Sequence, residues 1–216
     1  MYSSDDLKQK GQRRLLVKEL SHKYPFSSEV LKAVEQVPRH MFVEKELSHL
    51  AYKDKPLSIG YGQTISQPYT VAMQTHLLDC RKRDKVLEIG TGCGYQAAIL
   101  MAMGFYVYSI ERVKELYILA QKNLAAAGFD PSNVIFGDGF SGLPQFAPFH
   151  GILVACGAPE VPEKLKKQLA VGGKMVVPVG KHVQRMLRIT RTGENEYSTE
   201  DFGLYQFVPM LEGTKK

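Results

Sequence analysis

The sequence has no apolar run long enough to cross a membrane. Its longest nearly uncharged stretch, residues 97–110, is shorter than the ~20 apolar residues of a spanning helix, and Gly104 interrupts it. The N-terminal residues include Asp5 and Asp6, where a signal peptide has basic residues followed by an apolar core. We therefore expect a cytoplasmic protein with no membrane partner.

Cysteine is scarce and dispersed. The three cysteines, Cys80, Cys93 and Cys156, form no Cys-x-x-Cys pair, and their spacing from the histidines completes no zinc-site motif. This usage is typical of a reducing cytoplasm and predicts no metal site.

No internal repeat, low-complexity tract or long Pro/Gly/Ser-rich linker divides the 216 residues. With 44% hydrophobic and 23% charged residues, the composition excludes disordered and fibrous proteins. A chain of this length is expected to fold as one domain that buries roughly 70% of the surface exposed when unfolded. Within that domain we expect a helical segment over 1–65, an α/β core over 66–180 and a β addition over 181–216.

The excess of basic residues is small. The chain has 28 Lys and Arg residues against 22 Asp and Glu residues, a formal net charge of +6, and the basic residues are spread over several segments. A nucleic-acid-binding protein could use them as phosphate contacts, but solvated helix faces and loops explain them with fewer assumptions. We expect a monomer without a nucleic-acid partner.

Short apolar or β-branched runs alternate with longer helical patterns in the core. The pattern predicts strands over 85–89, 106–110, 134–136, 151–155 and 175–179, and helices over 95–103, 113–127 and 159–169. Such alternation is typical of a parallel sheet covered on both faces. Two later strands, over 186–190 and 202–208, flank a polar turn and should be antiparallel. The predicted fold is a doubly wound, mostly parallel Rossmann-like α/β sheet.

Three glycines follow the first strand of the core. Gly90, Gly92 and Gly94 stand between this strand and the next helix, where glycine permits positive φ and a close approach of the backbone to a ligand. A dinucleotide-binding loop has the form Gly-x-Gly-x-x-Gly, but its third glycine position here is Tyr95. The loop therefore predicts a nucleotide-like ligand and disfavours NAD.

Acidic residues follow the next two strands. Glu111 ends the second strand, twenty-one residues after Gly90, where a carboxylate accepts hydrogen bonds from both hydroxyls of an adenosine ribose. Asp138, followed by Gly139, comes after the third strand and could face the adenine edge. A Gly-Asp-Gly sequence is also a common turn, but its place after Glu111 favours adenine.

The glycine loop, including Thr91 and preceded by Glu88, resembles the first motif of class I S-adenosylmethionine-dependent methyltransferases. This cofactor has no pyrophosphate, but it has an amino-acid tail and a positive sulfonium, for which nearby acids are favourable partners. Glu88 either acts on the cofactor through this charge or supports the loop. The sequence leaves both roles open.

A second motif, Gln-Thr-Ile-Ser-Gln-Pro over residues 63–68, resembles the protein-L-isoaspartate (D-aspartate) O-methyltransferases. The likeness extends in order through most of the chain, over residues 37–43, 63–68, 86–94, 109–112, 137–139, 172–180 and 207–209. It implies a single methyltransferase domain in which segment 1–65 lies on the substrate side and the core binds S-adenosylmethionine. It also implies methyl transfer to the free carboxylate of isoaspartyl residues in damaged proteins and peptides.

The same resemblance implies residue roles in the motif. Ser66 matches the active-site serine of the family, and Gln63, Thr64, Ile65 and Ser66 border the cofactor and the substrate carboxylate. From local pattern alone, Ser66 is also a candidate N-cap for a helix with Pro68 in its first turn. The two roles are compatible.

The segment after the fourth strand departs from the family pattern. A run of Thr-Ala-Ala-Pro is common in relatives, whereas this chain has Ala-Cys-Gly-Ala over 155–158. Nucleic-acid and amine N-methyltransferases typically carry Asn/Asp-Pro-Pro-aromatic there, which disfavours that alternative. A non-catalytic adenosine-binding module would have no use for the motif at 63–68. His150 begins its strand, away from the ligand-binding ends, and is expected to be structural.

Overall fold

Helices precede the strands and then alternate with them over residues 5–215, which this computed structural model describes. The helices are α1 (Leu7–Lys23), α2 (Ser28–Gln36), α3 (Pro68–Leu78), α4 (Tyr95–Ala102), α5 (Lys114–Ala126) and α6 (Glu163–Lys166). The strands are β1 (Leu57–Ser58), β2 (Thr64–Ile65), β3 (Lys85–Ile89), β4 (Tyr106–Glu111), β5 (Val134–Phe136), β6 (Phe149–Val154), β7 (Leu169–Val179), β8 (Gln184–Arg191) and β9 (Tyr197–Tyr205).

The central sheet has the strand order β5-β4-β3-β6-β7-β8-β9. Neighbours from β5 to β7 are parallel, whereas β8 pairs antiparallel with both β7 and β9. The predicted doubly wound, mostly parallel sheet with an antiparallel addition is confirmed. Chain order reverses between β3 and β6, so a crevice opens beyond their carboxyl ends.

Apolar side chains of the parallel strands alternate between two cores. Val86 and Leu153 pack into the core shared with helices α1–α5, while Leu87, Ile152 and Val154 pack into the opposite one. The second core is covered by α6, by 3-10 turns at Gly139–Ser141 and Pro144–Phe146, and by the C-terminal segment through Met210. Both faces of the sheet are therefore covered, as predicted.

The start of α3 differs from the prediction. Its N-cap is Gln67, not Ser66, and Pro68 occupies the first helical position. The Gln67 side chain makes no capping hydrogen bond. Instead, the carboxylate of Asp54 accepts a hydrogen bond of 2.8 Å from the Tyr69 N–H. A residue distant in sequence thus supplies the cap acceptor, which a local pattern does not reveal.

Two other elements also differ. The helix predicted over 159–169 is wrong: α6 covers only Glu163–Lys166, and Leu169 already begins β7. The last strand is β9, Tyr197–Tyr205, rather than 202–208. Its first half is polar because it lies exposed at the edge of the sheet, so apolar periodicity did not reveal it.

Within residues 5–215, no helix combines the length and apolar character needed to span a membrane.

Candidate active site

A cleft of about 620 Å³ lies beyond the carboxyl ends of β3, β4 and β6. We call it the strand-end cleft. Its walls come from the ends of these strands, from the motif at 63–68, from the turn after β5 and from the C-terminal segment. The lining residues are Gln63, Thr64, Ile89, Gly90, Gly92, Ile110, Glu111, Arg112, Val113, Gly139, Ala155, Cys156, Val208, Pro209, Met210 and Leu211.

The glycine loop is fastened to Glu111. The Gly92 N–H donates a hydrogen bond of 2.8 Å to Oε2 of the Glu111 carboxylate, and the Val113 N–H donates one of 2.8 Å to Oε1. Gly92 has φ +56°, a left-handed conformation that glycine adopts without strain. Glu111 therefore fixes the loop, and each of its oxygens keeps a lone pair for a ligand hydroxyl.

Glu111 is 4% exposed, yet it lines the strand-end cleft. Burial raises the pKa of its carboxyl, while the backbone N–H groups of Val113 and Gly92 oppose that rise by stabilising the charged form. A carboxylate at the end of β4 with both oxygens held in place is preorganised to accept hydrogen bonds from a diol.

Glu88 lies beneath the loop and does not line the cleft. Its carboxyl is fully buried and accepts a 2.5 Å hydrogen bond from the Ser109 hydroxyl, which lies 2.6 Å from the Thr91 hydroxyl. Burial raises the pKa of Glu88 to about 8. The Ser109 and Thr91 hydroxyls connect this carboxyl of β3 to β4 and to the loop, so the geometry favours the supporting role over the electrostatic one.

Asp138 binds the C-terminal segment. Its Oδ1 accepts a hydrogen bond from the Phe140 N–H, and its Oδ2 accepts one from the Gly213 N–H. The N–H of Met210 donates to the carbonyl of Gly157, which further fixes the segment across the cleft. Asp138 does not line the cleft, whereas its neighbour Gly139 does. The carboxyl thus holds the wall formed by residues 208–211.

A second, larger cleft of about 1170 Å³ opens beside β9, and we call it the β9 cleft. None of the residues that line it is charged. They are Pro56, Thr64, Ser66, Gln67, Tyr69, Thr70, Ala155, Phe202, Leu204, Tyr205, Gln206, Phe207 and Val208. Aromatic and amide side chains therefore line an open, uncharged groove beside the edge strand.

A bulge in β9 directs side chains into this cleft. Leu187 pairs with Asp201 and Arg185 with Leu204, so the register shifts around Gly203, which has φ +89°. Regular strand residues alternate between faces, yet Phe202, Leu204 and Tyr205 all line the β9 cleft. The bulge therefore shapes the cleft wall.

A smaller cavity of about 320 Å³ shares lining residues with both clefts. We call it the junction cavity. It shares Thr64, Gly90, Gly92 and Ala155 with the strand-end cleft, and Thr64, Ser66 and Ala155 with the β9 cleft. Its remaining lining residues are Ile65, Val71, Thr91, Cys93, Tyr95 and Gln96. Ser66 thus lies where the contents of the two clefts would meet.

The structure brings most of the predicted site residues together. Gln63, Thr64, Ile65, Ser66, Gly90, Thr91, Gly92, Glu111 and Gly139 line the strand-end cleft or the junction cavity. Glu88, Gly94 and Asp138 line none of these cavities. A Cβ on Gly94 would lie 3.1 Å from the Leu124 side chain, so this glycine permits close packing of α4 against α5.

Sequence reasoning did not assign roles to several lining residues. Ala155 lines both clefts and the junction cavity, and Cys156 lines the strand-end cleft, where burial raises the pKa of its thiol to about 12. Ala155 and Cys156 directly follow β6, and this position at the carboxyl end of a parallel strand could have indicated that they line a ligand site. His150 Nδ1 accepts a hydrogen bond from the Lys85 N–H at the opposite edge of the sheet, which agrees with its expected structural role.

Comparison with known proteins gives a family match over nearly the whole chain. The model of the family "Protein-L-isoaspartate(D-aspartate) O-methyltransferase (PCMT)" matches residues 10–215. The protein-L-isoaspartate O-methyltransferase of Flavobacterium psychrophilum is 47% identical over 96% of this chain and 98% of its own. Protein-L-isoaspartate O-methyltransferase 2 of Marinobacter nauticus is 50% identical over 84% of each chain.

The fold has the same architecture as a solved structure from Plasmodium falciparum. That chain, assigned to the same enzyme class and solved in complex with S-adenosyl-L-homocysteine, superposes with a TM-score of 0.82. The match covers 92% of this chain and 98% of the other, at 23% sequence identity. The comparison shows that the fold is shared.

Proposed function

Because the chain belongs to the protein-L-isoaspartate(D-aspartate) O-methyltransferase family, we propose that it repairs damaged proteins by methylating isoaspartyl residues. The methyl group comes from S-adenosylmethionine and goes to the free carboxylate of the isoaspartyl residue, giving a methyl ester and S-adenosylhomocysteine. The substrates are isoaspartyl-containing proteins and peptides.

One observation carries this proposal. The junction cavity shares lining residues with both the strand-end cleft and the uncharged β9 cleft, and Ser66 lines the junction cavity and the β9 cleft. A methyltransferase that acts on a protein needs this arrangement, because donor and acceptor enter from different sides and meet at one point.

The strand-end cleft fits the cofactor. Apolar side chains of Ile89, Ile110 and Met210 line it, as an adenine ring requires, and Glu111 supplies a carboxylate for the ribose hydroxyls. A Cβ on Gly139 would lie 2.5 Å from Ile89 Cγ2, so any larger residue there would crowd this wall. We assign cofactor binding to Gln63, Thr64, Ile65, Ser66, Gly90, Thr91, Gly92, Glu111 and Gly139, with Glu88, Gly94 and Asp138 holding the walls.

Bound S-adenosylmethionine supplies an electrophilic methyl group on a positively charged sulfur. The chain's task is to align the acceptor, because a carboxylate with an ordinary pKa near ~4 is already ionised at neutral pH and needs no general base. Positioning alone supplies roughly 7 to 11 kcal/mol of a displacement barrier. The residues around the junction cavity therefore act by orientation.

Ser66 is the orienting residue in this proposal. A hydroxyl donates one hydrogen bond to the acceptor carboxylate without the strong charge stabilisation that a contacting Arg or Lys would impose. No charged side chain lines the β9 cleft or the junction cavity. An acceptor held there therefore meets no charged side chain that would lower its nucleophilicity.

Methylation of an amine or a nucleic acid is the alternative. Ala155 and Cys156 follow β6, where an amine acceptor would need polar side chains to hold its N–H groups, and Ala155 lines all three cavities without offering any. The uncharged β9 cleft also lacks the cations that a phosphate backbone requires. We propose a monomer without a nucleic-acid partner.

The test uses radiolabelled S-adenosylmethionine and two peptides of the same sequence, one with aspartate and one with isoaspartate. We expect an alkali-labile methyl ester on the isoaspartyl peptide alone. Alkali-stable label on RNA or on an amine, with none on the isoaspartyl peptide, would establish the alternative.

A further inference from the structure

Arg39 lies beneath the junction cavity and is fully buried. Its Nη1 donates to the carbonyl of Ala51 at 2.5 Å, and its Nη2 donates to the carbonyls of Lys55 at 3.2 Å and Ser66 at 3.1 Å. The guanidinium also lies 5.6 Å from the centroid of the Tyr95 ring, which lines the junction cavity. One side chain thus contacts the backbone of Ser66 and the cavity wall beside it.

No carboxylate lies within ion-pair distance of this guanidinium among residues 5–215, and its Nε has no hydrogen-bond partner there. A buried cation without a counterion is costly to the fold. Arg13, the other buried arginine of the N-terminal segment, has Asp5 at 3.0 Å. The three carbonyls and the Tyr95 ring partly offset the cost at Arg39, but a neutral side chain would avoid it.

We propose that Arg39 is a positioning residue for methyl transfer, which sets the orientation of Ser66 by holding its carbonyl. This inference rests on the proposed function. A fixed carbonyl fixes the rotation of the peptide plane that follows Ser66, and Asp54 holds the next turn through the Tyr69 N–H and the Gln67 side chain. Together these contacts fix the backbone on one side of Ser66, and so the direction of the Cα–Cβ bond that carries its hydroxyl.

The test measures kcat and peptide KM for Arg39→Lys and Arg39→Met with an isoaspartyl peptide. Rates are normalised to the number of S-adenosylhomocysteine sites titrated by calorimetry, so that unfolded protein does not count. We expect Arg39→Met to lower kcat about tenfold or more and Arg39→Lys to lower it less, with an unchanged Kd for S-adenosylhomocysteine. Arg13→Met is the matched control: it should lower the melting temperature while kcat stays near the wild-type value.

Combining Arg39→Met with Ser66→Ala tests whether Arg39 acts through Ser66. If Arg39 acts through Ser66, Arg39→Met should lower kcat little further in a Ser66→Ala background. If the double variant instead loses kcat by the product of the two single-variant reductions, the inference is overturned. Wild-type kcat in both Arg39 variants would also overturn it. Loss of the S-adenosylhomocysteine sites in both variants would also overturn it, because Arg39 would then serve the fold alone. If the wild-type protein itself leaves the isoaspartyl peptide unmethylated, the proposed function fails instead.

Discussion

The strand-end cleft and the β9 cleft are assembled in different ways. The first is built mainly from the ends of adjacent parallel strands, and Glu111, our proposed ribose-binding residue, is buried there and held by two backbone N–H groups. The second combines a segment before the core with the edge strand β9, and no charged side chain lines it. The glycine loop of the first cleft is thus held by contacts at the strand ends themselves, whereas the wall of the second cleft depends on the register of an edge strand.

The largest expected effect is on the cofactor side. Glu111→Ala removes the acceptor of the two ribose hydrogen bonds that we propose, and it leaves the Gly92 and Val113 N–H groups without their acceptor. We expect cofactor binding to weaken by on the order of 2 to 5 kcal/mol in calorimetry. Glu115→Ala, an exposed acid one turn away, is the control and should bind normally. Unchanged affinity in Glu111→Ala would show that the ribose lies elsewhere.

This contrast also explains how far the sequence could predict the structure. Carboxyl ends of parallel strands meet at one edge, so Gly90, Gly92 and Glu111 could be brought together from strand order alone. The acceptor side depends on contacts that no local pattern encodes. The cap of α3 comes from Asp54, and the wall of the β9 cleft depends on a bulge at Gly203 and on pairing with β8.

The pH dependence of stability helps to distinguish a supporting role of Glu88 from an electrostatic one. The pKa of Glu88 is about 8 in the folded state, above its ordinary value of 4.5. The folded state therefore binds this proton more tightly than the unfolded state does. As a result, the free energy of unfolding falls as pH rises from 4.5 to 8. At pH 7, Glu88→Gln should therefore raise the free energy of unfolding by about 3 kcal/mol.

Chemical denaturation of both proteins across this pH range measures the effect, with Glu115→Gln as an exposed control. The gain should vanish below pH 4.5. A supporting role predicts equal, small changes in the affinities for S-adenosylmethionine and S-adenosylhomocysteine. Selective weakening of the charged S-adenosylmethionine would instead show that an ionised Glu88 acts on the sulfonium.

Ser66→Ala tests the junction between the two clefts. We expect kcat to fall roughly 10²-fold, equivalent to about 2.7 kcal/mol, while cofactor affinity changes only a few-fold. The melting temperature should hardly change, because Gln67 and not Ser66 is the N-cap of α3. Ser58→Ala, an exposed serine in β1, serves as the control. A wild-type turnover rate in Ser66→Ala would remove the serine from the mechanism.

The smallest expected effect comes from a substitution that changes the wall of the β9 cleft. Gly203 and Gly172 have φ values of +89° and +82°, and a Cβ at either position would contact nothing within 4 Å. Alanine at either site should therefore cost a similar ~1 kcal/mol of stability from backbone strain alone. Gly203 lies in the bulge that lets both Leu204 and Tyr205 line the β9 cleft, whereas Gly172 lies in β7 and lines none of the three cavities. Only Gly203→Ala should raise the peptide KM, by a few-fold at saturating cofactor. An equal rise in Gly172→Ala would mean that general destabilisation, and not the shape of this wall, controls peptide binding.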